Sequence, residues 1–339
     1  MIVVSPELTH HTDGMWIVLK SSLILLAAVG LNLAPLAAAH AGENPQTHLR
    51  DTFIISGHRA GGRIYAPDNS LPNILFAIEN ELTAIEIDLR LTGDGKLILW
   101  HDASFPTMYV DATAAEGEKI ATDRVSAAEV RRFRYSATVG GRTWEDVRVV
   151  FADDVVKLTK GKVNLHLDTK DVRPDRVIEF IGGHNLQAEC MVMSGSIGYL
   201  ETIHAALPEV CLEYTDNTLG RRRVGGAWEW YPAEKQHQLY HELMEALSAA
   251  GVDAFCTKGL TREKIAICHQ YGIMVRTSAN NLQVGQAPDR YLEMGVDYAL
   301  TDDPVLMREA LRKIRPDAAV SSPGQTFLEL IRGEGSPRP

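Results

Sequence analysis

The segment AIEIDLR at 84–90, continued by LTGDGKLILWHD at 91–102, decides how this chain is read. Within 84–90 the side chains alternate: Glu86 and Asp88 share one face, and Ile85, Ile87 and Leu89 share the other, the period of a β-strand. Thr92-Gly93-Asp94-Gly95 is a turn sequence, and the apolar run behind it must return antiparallel as the second arm of a hairpin. Pairing across that turn with residue numbers summing to about 187 brings His101 back beside Glu86 and Asp88.

Working outward, strand-like runs occur at 53–57, 84–90, 163–169, 190–194, 210–214, 253–257, 273–277 and 297–301. Helix-like stretches lie between them, clearest at 72–82, 175–184, 197–206, 235–250, 261–271 and 303–313. Eight alternating units predict an α/β chain folded as a (β/α)8 TIM barrel over 50–315, with the β-hairpin and a long excursion, 103–150, after strand two. An open doubly wound sheet is disfavoured, because His58-Arg59-Ala60-Gly61-Gly62 behind the first strand lacks the dinucleotide-binding glycine spacing. A second excursion at 215–233 carries Arg221-Arg222-Arg223 and Trp228-Glu229-Trp230, and 316–339, rich in Pro, Ser and Gly, reads as a flexible tail.

The chain has 339 residues, 45% of them apolar, with 44 acidic and 34 basic side chains and a net charge of −10. This balance excludes a disordered polymer and a basic nucleic-acid binder, so an anionic substrate has to be met by locally placed Arg, Lys or metal. The Arg221–Arg223 run beside two Trp residues is a solvated loop or a transient contact for a lipid headgroup or another anionic partner. No charged residue occurs from Ser21 to Gly42, an apolar run follows Lys20, and Ala39-His40-Ala41 is a small-x-small cleavage pattern. Residues 1–41 therefore read as a signal peptide, translation starting at Met1 or Met15, and the mature protein as exported, periplasmic or secreted. Asn32 and Pro35 interrupt the apolar run and argue against a membrane anchor. Removing Glu7, Asp13 and Lys20 with that segment takes the net charge from −10 only to −9. None of Cys190, Cys211, Cys256 and Cys268 forms a CxxC pair, so they read as buried thiols, Cys190 and Cys211 being the pair a disulfide would use.

In 163–170, Asn164, His166, Asp168 and Lys170 share a face opposite Val163, Leu165 and Leu167. In a barrel the apolar faces go out against the helices, so Glu86, Asp88 and Asp168 converge inside, near the C-terminal mouth. Carboxylates forced together raise one another's pKa unless a cation neutralises them, and oxygen ligands select one hard divalent ion, Ca2+ or Mg2+. A salt-bridge cluster with Lys170 and Arg59 is the alternative. His58 ends strand one with inward parity, and His101 arrives by the hairpin, so two imidazoles flank the proposed cation. A base and an acid on either side of a held group suit displacement at phosphorus, with Arg59 and Lys170 contacting the phosphate. His166, below Asp168, reads as a hydrogen-bonded core histidine.

Six short motifs occur in order: His58-Arg59, Pro67-Asp68-Asn69-Ser70, Ile85-Glu86-Ile87-Asp88 with Thr92-Gly93-Asp94-Gly95, His101-Asp102, Leu167-Asp168-Thr169-Lys170, and Gly295 to Asp302. They resemble the signature of the glycerophosphodiester phosphodiesterase family over about 53–312. The resemblance implies hydrolysis of a small-molecule glycerophosphodiester to glycerol 3-phosphate and an alcohol. It implies Glu86, Asp88 and Asp168 as metal ligands, His58 and His101 as base and acid, and Arg59 and Lys170 as phosphate contacts. The substrate's own hydroxyl would attack first, giving a cyclic phosphate that water opens. Asp68 and Asp168 each replace a Glu of the family pattern. Arg276, in Val275-Arg276-Thr277-Ser278, stands where the family has a Trp, and as an extra cation it becomes a further substrate contact. Two other readings share these residues: a phospholipase-D-like lyase that releases a cyclic phosphate, and a non-catalytic barrel that keeps a phosphodiester pocket.

Overall fold

The computed structural model describes residues 52–106, 109, 117–279, 293–314, 316, 319–321 and 324–333. Residues 1–41, expected to be a signal peptide, lie outside the described residues. Eight parallel strands, β1 (Thr52–Gly57), β2 (Ala84–Leu91), β3 (Asn164–Asp168), β4 (Cys190–Ser194), β5 (Cys211–Thr215), β6 (Ala254–Cys256), β7 (Met274–Ala279) and β8 (Tyr298–Thr301), pair in order. β8 returns to β1 with Gly57 opposite Thr301, so the sheet closes. This is the expected (β/α)8 barrel. Helices Leu71–Glu79, Ala152–Thr159, Pro174–His184, Ile197–Ala206, Ala233–Ala249, Arg262–Gln270 and Pro304–Ile314 intervene or follow. No helix among the described residues is long and apolar enough to cross a membrane.

The period of two sorts the side chains into layers. Ile85, Ile87, Leu89, Leu165, Leu167, Val192 and Leu212 pack outward with the helices in one apolar cluster. Ile54, Ala84, Met191, Cys211, Ala254, Met274 and Tyr298 fill the barrel's interior floor. Cys190 belongs to the outer layer and Cys211 to the inner one, so their side chains point to opposite faces; all four cysteines are buried and none is in a disulfide.

One expectation is sharpened and one corrected. The hairpin arm Leu97–Leu99 pairs Leu89 with Leu99 and Leu91 with Leu97, a sum of 188 against the expected value of about 187, and the Trp100 N–H donates to the Asp88 carbonyl, which returns His101 to the neighbourhood of Asp88. The segment 316–339 is not a free tail throughout: Phe327–Arg332 is a helix opened by a Thr326/Glu329 capping box. Its Phe327, Leu330 and Ile331 join the interior floor cluster, and Arg332 holds Asp253 at 2.9 Å, so this helix closes the bottom of the barrel. Apolar residues at the first, fourth and fifth helical positions outweigh the Pro, Ser and Gly around them.

The excursion after the hairpin has a core of its own. Ile98, Phe105, Val125, Val130, Phe133, Val149 and Phe151 cluster there, with Trp100 and Tyr109 packed against them. Short antiparallel pairs, Ser104–Pro106 with Lys119–Ala121 and Tyr135–Val139 with Arg142–Val147, carry this cap.

Candidate active site

At the C-terminal ends of β2 and β3, Asp88 and Asp168 are register partners, and Glu86 lies opposite His166 one inward position below. Glu86, Asp88 and Asp168 each present an oxygen, all within 4.8 Å of one another. Glu86 and Asp88 are 2% and 1% exposed. Burial, then the charges of Asp88 and Asp168, drives the Glu86 carboxyl well above its ordinary range. For Asp88 burial pushes the same way but is outweighed by the Lys170 charge and by hydrogen bonds from Lys170 and Asn69, which leave it below its ordinary value. Glu86 is the member of the trio with no ion-pair partner among the described residues; it accepts the Arg59 N–H at 2.8 Å.

That buried carboxylate and the all-oxygen donor set fit a hard divalent ion. Oxygens sharing one ion at ~2.0–2.6 Å lie no more than about 4–5 Å apart. Residues Glu86, Asp88 and Asp168 could hold it.

The cations sit where the sequence suggests but contact the acids. Lys170 Nζ lies 2.7 Å from Asp88 and 2.5 Å from Asp168. Burial would lower the Lys170 pKa, yet the Asp168 and Asp88 charges outweigh it and raise it. Arg59 Nη1 donates to Asp68 at 2.7 Å and its Nε lies 3.8 Å from Asp88. The backbone is bent to achieve this: Arg59, Ala60, Asn69 and Lys170 adopt φ of 51°, 91°, 52° and 42°. Gly57 permits the turn, since a Cβ there would stand 2.3 Å from the Ala60 carbonyl oxygen.

Both histidines are held by a carboxylate. His58 Nδ1 lies 2.6 Å from Asp302 Oδ1, and His101 Nδ1 lies 2.8 Å from Asp102 Oδ1. An ionised carboxylate only accepts, so each Nδ1 carries a proton and each Nε2 is the nitrogen its aspartate does not engage. Arg90 anchors the His101 carbonyl with two hydrogen bonds of 2.9 and 3.1 Å. Beside His101 opens a cavity of about 620 Å³ lined by Arg59, Asp68, Trp100, Tyr109 and Tyr135 from the barrel loops and the cap.

Arg276 corrects the sequence reading. It is 2% exposed within the barrel and paired with Glu213 at 2.7 Å, so its charge is met by a carboxylate below the mouth rather than presented to a phosphate. His166 is buried as expected, yet neither ring nitrogen makes a hydrogen bond among the described residues. Burial, against the pull of nearby Glu213, lowers its pKa to about 4.

Sequence reading missed Asp302, Asn69 and Glu213. Asp302 ends the Gly295–Asp302 motif, but only the closed sheet gives it a partner, where His58 and Asp302 each stand one residue beyond the paired Gly57 and Thr301. Asn69 follows Asp68 before the Ser70 helix cap and holds Asp88, donating to it at 2.6 Å. Glu213 is a lone inward acid on an apolar strand, two residues from the inward Cys211.

The sequence profile of the glycerophosphoryl diester phosphodiesterase family matches residues 58–306. Similar folds include a glycerophosphoryl diester phosphodiesterase from Parabacteroides distasonis, 20% identical, covering 80% of this chain and 90% of that one at a TM-score of 0.60. Another, from Agrobacterium tumefaciens, is 17% identical over 76% of this chain and 100% of its own, with a TM-score of 0.54. A phosphodiesterase from Oleispira antarctica, solved with the product sn-glycerol-3-phosphate, is 16% identical over 76% and 96%, with a TM-score of 0.54. No match is found among curated proteins.

Proposed function

Because this chain belongs to the glycerophosphoryl diester phosphodiesterase family and is a phosphoric diester hydrolase, we propose that it splits an exported-space glycerophosphodiester into glycerol 3-phosphate and an alcohol by proton transfer between two histidines. The observation that carries this reading is the pairing of each histidine with its own aspartate, His58 with Asp302 and His101 with Asp102, around three clustered carboxylates. The product bound to the Oleispira antarctica phosphodiesterase is in keeping with it.

His58 enters the step with Nε2 unprotonated and takes the proton from the attacking hydroxyl of the substrate's glycerol, while His101 enters it with both ring nitrogens protonated and gives its Nε2 proton to the leaving oxygen. Water then opens the cyclic phosphate with the roles exchanged, which the similar aspartate support of the two rings allows. Glu86, Asp88 and Asp168 would hold a divalent cation, Ca2+ or Mg2+, which would supply positive charge to a bound phosphate. Lys170 and Arg59, which border the same carboxylates, would orient the phosphate. Export rests on the uncharged run from Ser21 to Gly42 and the Ala39-His40-Ala41 pattern. The mass of the protein recovered from outside the cytoplasm, short by residues 1–41, checks it.

The deciding experiment incubates the purified protein with a panel of glycerophosphodiesters and follows the products by phosphorus NMR. The proposal expects glycerol 3-phosphate, loss of turnover on chelation and recovery with Ca2+ or Mg2+. An accumulating cyclic phosphate without glycerol 3-phosphate would identify a lyase instead. Turnover indifferent to chelation, His58→Ala and His101→Ala would place the chemistry elsewhere, and absence of turnover would leave a binding barrel.

A further inference from the structure

Past the C-terminal end of β5 the chain rises into a two-stranded antiparallel hairpin, Arg221–Val224 with Ala227–Trp230. Arg221 pairs with Trp230 and Arg223 with Trp228, so two arginines and two indoles share one face; Arg222 with Glu229 and Val224 with Ala227 form the other. Gly225 and Gly226 turn the tip with φ of 56° and 87°. The base is anchored: the Trp230 ring lies against Gly259, where a Cβ would come within 2.5 Å of it. The rest is solvated, with every residue from 222 to 230 exposed.

Val224, Trp228 and Trp230, exposed by 42%, 47% and 44%, are three of the seven exposed large apolar side chains among the described residues. Apolar surface concentrated on one thin element marks an interaction site. It is also cationic: its two strands carry Arg221, Arg222 and Arg223 against one acid, Glu229, and Lys264 Nζ stands 4.6 Å from the Trp230 ring. The Arg221 guanidinium lies 5.3 and 5.2 Å from the Trp228 and Trp230 rings, so positive charge and aromatic surface are interleaved. This happens on a chain whose net charge is −10.

We propose that this hairpin docks the barrel tip-first on an anionic lipid surface, Val224 and Trp228, one from each face beside the Gly225-Gly226 turn, entering the interface while Arg222 and Arg223 behind them meet lipid phosphates. Indoles partition to the headgroup level, guanidinium forks match phosphate oxygens, and a bilayer is the partner that uses both at once. A soluble anion would engage the arginines and leave Val224 and Trp228 in water. Because the hairpin stands on the end of the barrel that carries Asp88 and Asp168, docking turns the mouth toward the lipid. The proposal goes beyond the hydrolytic reading and does not depend on it.

The test is co-sedimentation of the intact protein with phosphatidylcholine vesicles, with and without phosphatidylglycerol. Binding is expected only with phosphatidylglycerol and is expected to fall with added salt. Each arginine adds about fivefold to partitioning, so Arg222→Ala with Arg223→Ala should weaken it tenfold or more. Trp228→Phe should remove most of the quenching of tryptophan fluorescence by brominated lipid, a readout that also works in the unaltered protein. Hydrolysis of a soluble glycerophosphodiester should be unchanged in these variants; its absence in the unaltered protein would sink the phosphodiesterase reading and leave docking standing. The docking proposal is overturned by no binding to phosphatidylglycerol vesicles, by equal binding without the anionic lipid, by full binding in the double variant, by absence of quenching, or by retention on heparin without vesicle binding.

Discussion

His58 and Asp302 meet at 2.6 Å although 244 residues separate them, because closure of the barrel sets β1 beside β8. This contact fixes the His58 tautomer, with the proton on Nδ1. Asp302→Asn keeps the shape and removes the obligatory acceptor. It should lower kcat by about 10²-fold or more while KM changes little. Steady-state kinetics on a soluble glycerophosphodiester check this, and an unaltered kcat would remove Asp302 from the mechanism.

The Arg276–Glu213 pair should behave as a structural element. Glu213→Gln takes away the carboxylate that meets a guanidinium 2% exposed, and loss of one partner of a buried pair costs about 3–5 kcal/mol. Replacing both, as Arg276→Met with Glu213→Leu, should cost far less. Urea unfolding of the three proteins measures the difference. If Arg276 instead contacted the substrate, the double variant would raise KM steeply.

His166 gives stability a pH dependence with a definite sign. Its folded pKa, lowered to about 4 from 6.5 by burial first, means the unfolded chain binds the extra proton more readily. Stability from this residue is complete above about 6.5, falls as the pH drops, and levels off below about 4. Between pH 7 and pH 5 the loss is about 2 kcal/mol. Denaturant unfolding at the two pH values should show a smaller drop in His166→Gln than in the unaltered protein; equal drops would mean His166 does not stay neutral in the fold.

The closing helix should matter although it lies far from the chemistry in sequence. Phe327 is fully buried on the barrel floor, and Phe327→Ala should destabilise by about 3–5 kcal/mol. Arg332→Ala should add a smaller loss by freeing Asp253, which also accepts the Leu212 N–H at 2.9 Å. Thermal unfolding checks both. A melting point unmoved by Phe327→Ala would show that the floor is sealed without it.

Much of this protein could be read along the chain. Strand alternation places Glu86, Asp88 and Asp168 inside and Ile85, Ile87 and Leu89 outside, because a strand sends successive side chains to opposite faces whatever its neighbours are. Eight such strands alternating with helices specify the barrel, and the hairpin turn at Thr92–Gly95 delivers His101 to within one register step of its expected place. These are local signals with a short repeat. What only the tertiary structure decided is which charges meet. Arg276 looked like a substrate contact until β5 set Glu213 against it, and the Pro- and Gly-rich end looked free until Phe327, Leu330 and Ile331 found the barrel floor. Asp302 gained its meaning only when the sheet closed. Coulombic and apolar contacts depend on distance in space, and between strands and ends far apart in sequence that distance exists only in the folded chain.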